Sequence, residues 1–160
     1  MVLLSVMLVA ALTGDDSPGP TPGPSVSPTP AVVTDGGFGF EVTAATCGLD
    51  NVVTADGRIA AKGQFCDVRV RITNPQQGEA HPVPLACQFL LGASDERYEL
   101  HRRATRAASG DEPFDQGIGP GETAEVAFQF DVPEDEEAAD IELRSTCDSP
   151  GVTASVPDQG

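Results

Sequence analysis

The sequence predicts an all-β protein: an immunoglobulin-like antiparallel β-sandwich of about seven strands that follows a disordered N-terminal segment. Between Gly119 and Pro133, apolar and polar residues alternate as they do in a strand with one buried face. Similar runs recur at short spacing, with no amphipathic helix beyond a turn around Arg102 to Ala108. Because the chain has no tryptophan, the Cys-Trp-Cys arrangement of antibody domains is excluded, and the likeness is one of architecture only.

Residues 1–14 are apolar and uncharged, which indicates a signal peptide or a truncated membrane anchor. At about 1.5 Å per helical residue they span only about 20 Å, less than the ~30 Å hydrocarbon core of a bilayer. No positively charged region precedes them, so we expect either a start further upstream or export by a minimal signal. Leu12, Thr13 and Gly14 resemble the first positions of a bacterial lipobox, but Asp15 stands where the cysteine belongs, so lipidation is not expected.

Residues 15–37 are rich in Pro, Ser, Thr and Gly and predict an extended linker without a core. At about 3.1 Å per residue this tether reaches up to about 70 Å, enough to hold a domain away from a membrane. The remaining residues, 38–160, are predicted to form the sandwich domain, because about 120 residues bury enough surface to fold alone.

Alternating runs predict strands over residues 38–45, 66–73 and 124–131. The polar segment 49–62 between the first two is expected to be a connection with a turn at Asp56-Gly57. The apolar run from Leu85 to Leu91 predicts a strand covered on both faces. Shorter strands are predicted at residues 98–100, 141–143 and 152–156.

Four cysteines without C-x-x-C spacing, in a chain with an apolar N-terminal segment, predict disulfides formed in an oxidising compartment. Cys47 ends one predicted strand and Cys66 starts the next, so they lie side by side if these strands are antiparallel neighbours. Cys87 lies near the start of the apolar strand and Cys147 after residues 141–143, and an immunoglobulin-like order makes these strands antiparallel neighbours. Of the three connectivities we favour Cys47 with Cys66 and Cys87 with Cys147.

The chain carries 25 acidic and 9 basic residues, a formal net charge of -16. This charge repels phosphate backbones and anionic lipid headgroups, so we expect no nucleic-acid partner and membrane contact only through the N-terminal segment. The cysteines and the apolar N terminus together predict an extracellular or cell-surface location.

Several strand and turn motifs resemble a known family. They are Phe40-Glu-Val-Thr43, Cys47-Gly-Leu-Asp50, Gly63-Gln-Phe-Cys66 with the run to Asn74, and Pro120-Gly-Glu122 with Phe130-Asp-Val-Pro133. On these, residues 38–156 resemble the exported, mainly actinobacterial domain of unknown function 4352 family, which is similar in fold to a mycobacterial immunoprotective extracellular antigen. The resemblance implies export, a sandwich fold and a disulfide between Cys47 and Cys66; it implies no catalytic residues.

No catalytic, cofactor-binding or metal site is predicted. The chain has only two histidines, His81 and His101, and neither lies in a triad-like setting, so exposed structural roles are favoured. The acidic stretch at residues 134–140 lacks the loop spacing and glycine of an EF-hand and is expected to be a solvated loop.

Four arginines within ten positions predict a local basic patch in this acidic chain. They are Arg97, Arg102, Arg103 and Arg106. Such a patch suits a carboxylate or phosphate on a cell-envelope polymer or an extracellular protein. The alternative is that the arginines neutralise nearby acids such as Asp95, Glu99 and Asp111.

We therefore expect a non-enzymatic exported or cell-surface interaction module carried on the linker. The alternatives are a structural spacer without a specific ligand and a hydrolase of envelope material. A deep pocket with converging acid, base and nucleophile would indicate the hydrolase, whereas a flat apolar or basic patch would indicate the interaction module. A featureless charged surface would indicate the spacer.

Overall fold

The computed structural model describes residues 19–23, 29–75 and 77–159. The segment predicted as a signal peptide or anchor, residues 1–14, lies outside this part of the chain, as do residues 15–18 and 24–28 of the predicted linker. Among the residues that are described, no helix has the length and apolar character needed to cross a membrane.

Eight strands and two helices make up the described fold. The strands are β1 (Val32–Asp35), β2 (Phe38–Thr54), β3 (Gly57–Thr73), β4 (Phe89–Gly92), β5 (Arg97–Glu99), β6 (Thr123–Val132), β7 (Ala138–Leu143) and β8 (Val152–Ser155), and the helices are α1 (Arg102–Ser109) and α2 (Glu112–Asp115). Two antiparallel sheets of four strands have the orders β1-β2-β3-β6 and β5-β4-β7-β8. The predicted all-β antiparallel sandwich is therefore confirmed, with eight strands in place of about seven.

The strand order follows the A-B-E and C-F-G sheets of an immunoglobulin sandwich. β2, β3 and β6 stand at A, B and E, and β4, β7 and β8 stand at C, F and G. Strand D, which flanks E in immunoglobulin domains, has no counterpart among the described residues, and α1 lies beside β6 in its place.

Helix α1 covers the free edge of β6 with two side-chain hydroxyls. Thr105 Oγ1 accepts a hydrogen bond from the backbone N–H of Gln129 at 3.0 Å. Ser109 Oγ accepts one from the N–H of Ala127 at 2.8 Å and donates to the carbonyl of the same residue at 3.2 Å. Unpaired groups on an exposed strand edge are a template for pairing with another chain, so α1 protects the sheet at this edge.

The main core lies between the two sheets and follows the alternation seen in the sequence. Its fully buried side chains come from β2, β3, β4, β6 and β7: Phe40, Val68, Val70, Ile72, Leu90, Val126, Phe128, Phe130, Ile141 and Leu143. Burying a side chain of this kind stabilises a fold by about 1.5–3 kcal/mol relative to leaving it exposed. The outer face of the first sheet carries polar pairs instead, such as Glu41 with Arg71 at 2.8 Å.

Residues 49–62 are not the polar connection that the sequence predicted. β2 and β3 have 17 residues each and continue as one long hairpin that turns at Ala55-Asp56. Bulges in the register bend the hairpin beyond the sandwich, and its inner face packs on α1. Val52, Phe65 and Ala104 form a small second core there, which the mixed composition of the segment conceals.

The folded domain also begins earlier than residue 38. β1 pairs with the start of β2, from Val32 opposite Glu41 to Asp35 opposite Phe38, so residues 32–37 belong to the domain and not to the linker. β1 borders β8 at one side of the sandwich, while a bridge between Leu100 and Phe130 links the sheets at the other side.

The apolar run at residues 85–91 becomes a strand only at Phe89. The preceding residues form a turn that is fixed by Gln88, whose side-chain amide donates to the carbonyls of Pro84 and Arg144 and accepts from the N–H of Arg144. Apolar composition predicted burial here, but the buried residues are held by a disulfide and side-chain hydrogen bonds and not by a strand ladder.

Both disulfides join the cysteines that the sequence analysis paired. Cys47–Cys66 links β2 to β3, and Cys87–Cys147 links the turn before β4 to the segment after β7. The first lies at the end of the sandwich where β6 ends and β7 begins, and the second lies at the opposite end. Disulfides of this kind persist in oxidising, extracellular environments.

A candidate ligand cleft beside Cys147

A cleft with a volume of about 630 Å³ opens at the end of the sandwich that carries the Cys87–Cys147 disulfide. Its walls are residues 81–86, Arg102 and Arg106 of α1, Phe114 of α2, and residues 145–147. A volume of this size is typical of sites for small ligands or for a few residues of peptide.

One wall of the cleft is the apolar segment Pro82-Val-Pro-Leu85. Its prolines fix the backbone and donate no hydrogen bonds, so the wall presents mainly apolar surface. The segment is held in place because the N–H of Val83 donates to the carbonyl of Pro113 at 2.9 Å, and His81 and Ile118 exchange backbone hydrogen bonds at 3.0 and 3.1 Å. The wall therefore exists before any ligand arrives.

Arg106 lines the cleft, but acids of α2 and its N-terminal cap neutralise it. Its guanidinium donates to Asp111 at 2.7 Å and to both carboxylate oxygens of Asp115 at 2.8 and 3.1 Å, and it lies over the ring of Phe114. The hydrogen bonds with Asp115 and Asp111 raise the pKa of Arg106 and those from Arg106 lower the pKa of Asp115. Arg106 thus holds α2 against α1 and offers no free charge.

Arg102 is the uncompensated charge of the cleft. It is exposed at the first position of α1 and has no hydrogen bond or ion pair in the part of the chain that the structure describes. The first turn of α1 contains no acidic residue, so the positive end of the helix dipole adds to the guanidinium charge. Together they place an unpaired positive charge at this mouth of the cleft, in a chain whose formal net charge is -16.

The four arginines do not form one patch. Arg97 lies on β5, where it pairs with Glu142 at 3.0 Å and stacks over the ring of Phe89. Arg103 is exposed on α1 but does not line the cleft. Neutralisation, the alternative considered for these residues, therefore applies to Arg97 and Arg106, and only Arg102 combines free charge with a cavity.

Neither histidine has the setting of a catalytic base. His101 Nδ1 accepts the N–H of Ala104 at 3.2 Å and so caps α1, and its ring packs edge-on against Phe65. His81 is exposed at the rim of the cleft with its ring against Phe38. Within the described residues, no serine hydroxyl is hydrogen-bonded to either imidazole.

The acidic stretch at residues 134–140 is not wholly a solvated loop. Glu136 accepts hydrogen bonds from the hydroxyl and the N–H of Ser94 and from the hydroxyl of Tyr98 at 2.6 Å. Ser94 and then Tyr98 hold the pKa of Glu136 below its usual value, and Glu136 raises the pKa of Tyr98. Over the ranges 19–23, 29–75 and 77–159, no three His, Cys, Asp or Glu side chains converge as metal ligands.

Comparison of the chain with protein-family models, with curated proteins and with solved structures finds no match. The family resemblance of its strand and turn motifs stays a prediction from the sequence. Function must therefore be inferred from the cleft and its surroundings.

Proposed function

We propose that this protein is a non-enzymatic, exported binding module whose cleft beside Cys147 holds an anionic ligand with an apolar portion. An acidic segment of an extracellular protein or an anionic group of a cell-envelope polymer has this chemistry. The observation that carries the proposal is the unpaired guanidinium of Arg102 at the mouth of a cavity walled by Pro82 to Leu85.

The chemistry of the cleft favours carboxylates. A guanidinium offers two parallel N–H donors that match the two oxygens of a carboxylate, and such charge-assisted bonds are stronger than neutral ones. The adjacent wall has few donors of its own and gains from covering apolar atoms, at about 25 cal/mol per Å² removed from water. An anion without an apolar part would use only half of the site.

The position of the cleft suits display at a cell surface. β1 runs toward the cleft end, so its first residue, Val32, is the one further from the cleft, on the side of the end where the C-terminal segment at residues 156–159 lies. A module tethered through residues 15–31 would therefore present the cleft away from its point of attachment. The two disulfides are suited to the oxidising conditions found there.

Titration of the full chain with small probes tests this function directly. Hexanoate has a carboxylate and an apolar tail, and hexanamide has the same shape without the charge. We expect hexanoate to shift the backbone ¹⁵N-¹H resonances of Val83, Leu85 and residues 145–147 and the side-chain Nε–H of Arg102, and hexanamide to do so at least about tenfold more weakly.

Arg102→Ser and Arg103→Ser form a matched pair, since both remove one exposed arginine from the first turn of α1. Only Arg102 lines the cleft, so only its replacement should abolish hexanoate binding. If the two variants lose hexanoate affinity equally, binding depends only on the overall charge and not on a site at Arg102. If the parent chain does not bind hexanoate, the proposal is wrong and a structural spacer without a specific ligand is favoured. Turnover of an ester probe at this cleft would favour a hydrolase.

A further inference from the structure

The chain contains the dipeptide Asp-Gly twice, at Asp35-Gly36 and at Asp56-Gly57. An aspartate in this setting can react with its own backbone, because the main-chain nitrogen of the next residue lies within reach of the side-chain carboxyl carbon. Glycine favours the reaction, since it has no Cβ to hinder that approach. The carboxyl group must be free to turn toward the nitrogen, so the folded structure decides which of the two aspartates can react.

Asp35 is held away from this reaction. Its side chain is buried, and its two carboxylate oxygens accept hydrogen bonds from Ser145, Ser149 and Gly151. These bonds fix the carboxylate against the loop that follows β7. Asp35 can therefore turn toward the nitrogen of Gly36 only after this part of the fold opens.

Asp56 lies in the opposite environment. It is exposed at the tip of the β2–β3 hairpin, and its carboxylate has no hydrogen bond or ion pair with any described residue. Gly57 has a φ of +140°, and a Cβ placed on it would meet no atom within 4 Å. No described residue therefore holds this carboxyl group or shields the bond between Asp56 and Gly57 from water.

We infer that Asp56-Gly57 is a site of spontaneous covalent modification, at which Asp56 is converted to isoaspartate. In the first step, the main-chain nitrogen of Gly57 bonds to the side-chain carboxyl carbon of Asp56, and the N–H proton and the carboxyl OH leave as water. The product is a cyclic imide, a succinimide. In the second step, water adds to one of the two ring carbonyls and breaks its bond to the nitrogen.

The position of this second attack decides the product. Opening at the side-chain carbonyl restores aspartate. Opening at the main-chain carbonyl leaves a chain that runs through Cβ of Asp56, with the former main-chain carbonyl as a free carboxylate. Because one water molecule leaves and one returns, the change is an isomerisation that needs no co-reactant besides solvent.

The product should change the hairpin tip and leave the rest of the domain in place. One additional carbon enters the main chain between Asp56 and Gly57, so the turn can no longer close in its present register. The small second core of Val52, Phe65 and Ala104 lies further from the tip. Exposed loop tips are also where proteins best tolerate such changes. We therefore expect an altered arm on an intact sandwich.

The two dipeptides in one chain give the experiment its internal control. The folded full chain is stored at neutral pH for several weeks and digested, and the peptides that contain Asp35 and Asp56 are compared by liquid chromatography with mass spectrometry. An isoaspartyl peptide has the mass of its parent, a different retention time, and resistance to an endoproteinase specific for aspartate. We expect at least about tenfold more isoaspartate at Asp56 than at Asp35, because the reaction of Asp35 is limited by local opening of the fold.

The same chain unfolded in urea shows whether the fold or the neighbouring sequence is responsible. Both dipeptides are accessible there, so their rates should agree within about threefold. Asp56→Glu keeps the charge but would have to form a larger and less favourable ring, so it should remove the product at this position without changing the yield at Asp35.

The inference is wrong if the folded chain accumulates no isoaspartate at Asp56, or if Asp35 reacts as fast as Asp56 in the folded chain. It is also wrong if the preference for Asp56 is as large in urea as in the folded chain. Failure of the hexanoate test would leave this result unaffected, because Asp56 does not line the cleft beside Cys147.

Discussion

Asp35 and Ser145 are joined by two hydrogen bonds, because both the N–H and the hydroxyl of Ser145 donate to the same carboxylate oxygen, at 2.7 and 2.9 Å. The hydroxyl of Ser149 and the N–H of Gly151 also donate to this carboxylate, at 2.6 and 3.0 Å. At position 36 a side chain would collide with Ser145, and the backbone has φ of +56°, so only glycine fits. One buried carboxylate thus ties β1 to the loop between β7 and β8.

Replacing Asp35 with Ala should lower the free energy of unfolding by about 2–4 kcal/mol, because two N–H groups and two hydroxyls lose a charged acceptor. Urea denaturation of the two proteins measures the difference. Asp56→Ala, at the exposed turn of the β2–β3 hairpin, is the control and should change stability by less than about 0.5 kcal/mol. Equal losses would show that the carboxylate of Asp35 does not secure β1.

The same carboxylate should make stability depend on acid pH. Burial alone would raise the pKa of Asp35, but the hydrogen bonds from Ser145, Ser149 and Gly151 outweigh it and hold the pKa below the usual 3.8. A folded-state pKa below the unfolded one contributes stability that is complete above about pH 4 and disappears as the pH falls through the folded value. In urea titrations from about pH 5 to about pH 2, Asp35→Asn should lose less stability than the parent chain. Parallel profiles would contradict this.

Removing the hydroxyls that cover the edge of β6 should have two effects. Thr105→Val combined with Ser109→Ala leaves the N–H groups of Gln129 and Ala127 without acceptors, at a cost of about 1–3 kcal/mol. The freed edge should also promote association between chains, which sedimentation velocity would detect. Thr153→Val is the control, because Thr153 is exposed on β8 and its hydroxyl has no hydrogen bond to any described residue. A stable, monomeric double variant would refute the protective role of α1.

The two disulfides should contribute unequally. In the chain-entropy account, closing the loop with a sequence separation of 19 stabilises by roughly 3 kcal/mol and the loop with a separation of 60 by roughly 4 kcal/mol. Cys87→Ser with Cys147→Ser should therefore lower the melting temperature more than Cys47→Ser with Cys66→Ser. Non-reducing peptide mapping checks the pairing itself, and four free thiols in exported, folded protein would contradict the oxidising location.

Among the arginines, Arg106→Ser should destabilise the domain more than Arg102→Ser or Arg103→Ser, because only Arg106 connects α1 to Asp111 and Asp115. Thermal unfolding of the three single variants measures the difference in melting temperature. Added salt should reduce this difference, because it screens the exposed ion pairs of Arg106. If Arg102→Ser has the largest effect, its role in the cleft is structural.

Local sequence pattern was sufficient to predict the sandwich and the disulfides. Strands such as β6 alternate because one face packs in the core and the other meets water, and Cys47 and Cys66 can pair because the two strands that carry them are neighbours. The pattern failed where burial comes from contacts distant in sequence. Residues 49–62 contain only a few apolar side chains, so the segment looks polar. These side chains are buried against α1, which lies about 40 residues later in the chain, and the local pattern does not show that contact.

The cleft was only half predictable. The clustering of arginines in the sequence indicated Arg102 as a candidate. The sequence could not show which arginines are paired, because that depends on where Asp111, Asp115 and Glu142 lie in the folded chain. The apolar wall was mistaken in part for a strand, since composition alone does not distinguish Pro82 to Leu85 as a wall from the strand that begins at Phe89. Two prolines in four residues are the signal that favours a rigid surface segment there.

The direction of β1 decides how the domain bears mechanical load. If the proposed cleft beside Cys147 held a ligand, tension between Val32 and that ligand would run along β1, since this strand runs toward the end of the sandwich where the cleft opens. Ladder hydrogen bonds between β1 and β2 are perpendicular to that direction, so they are sheared together and cannot be peeled apart one by one. The four hydrogen bonds to Asp35 oppose the same sliding motion. Under such a load, β1 would therefore resist sliding out of the sheet more strongly than peeling away from its edge.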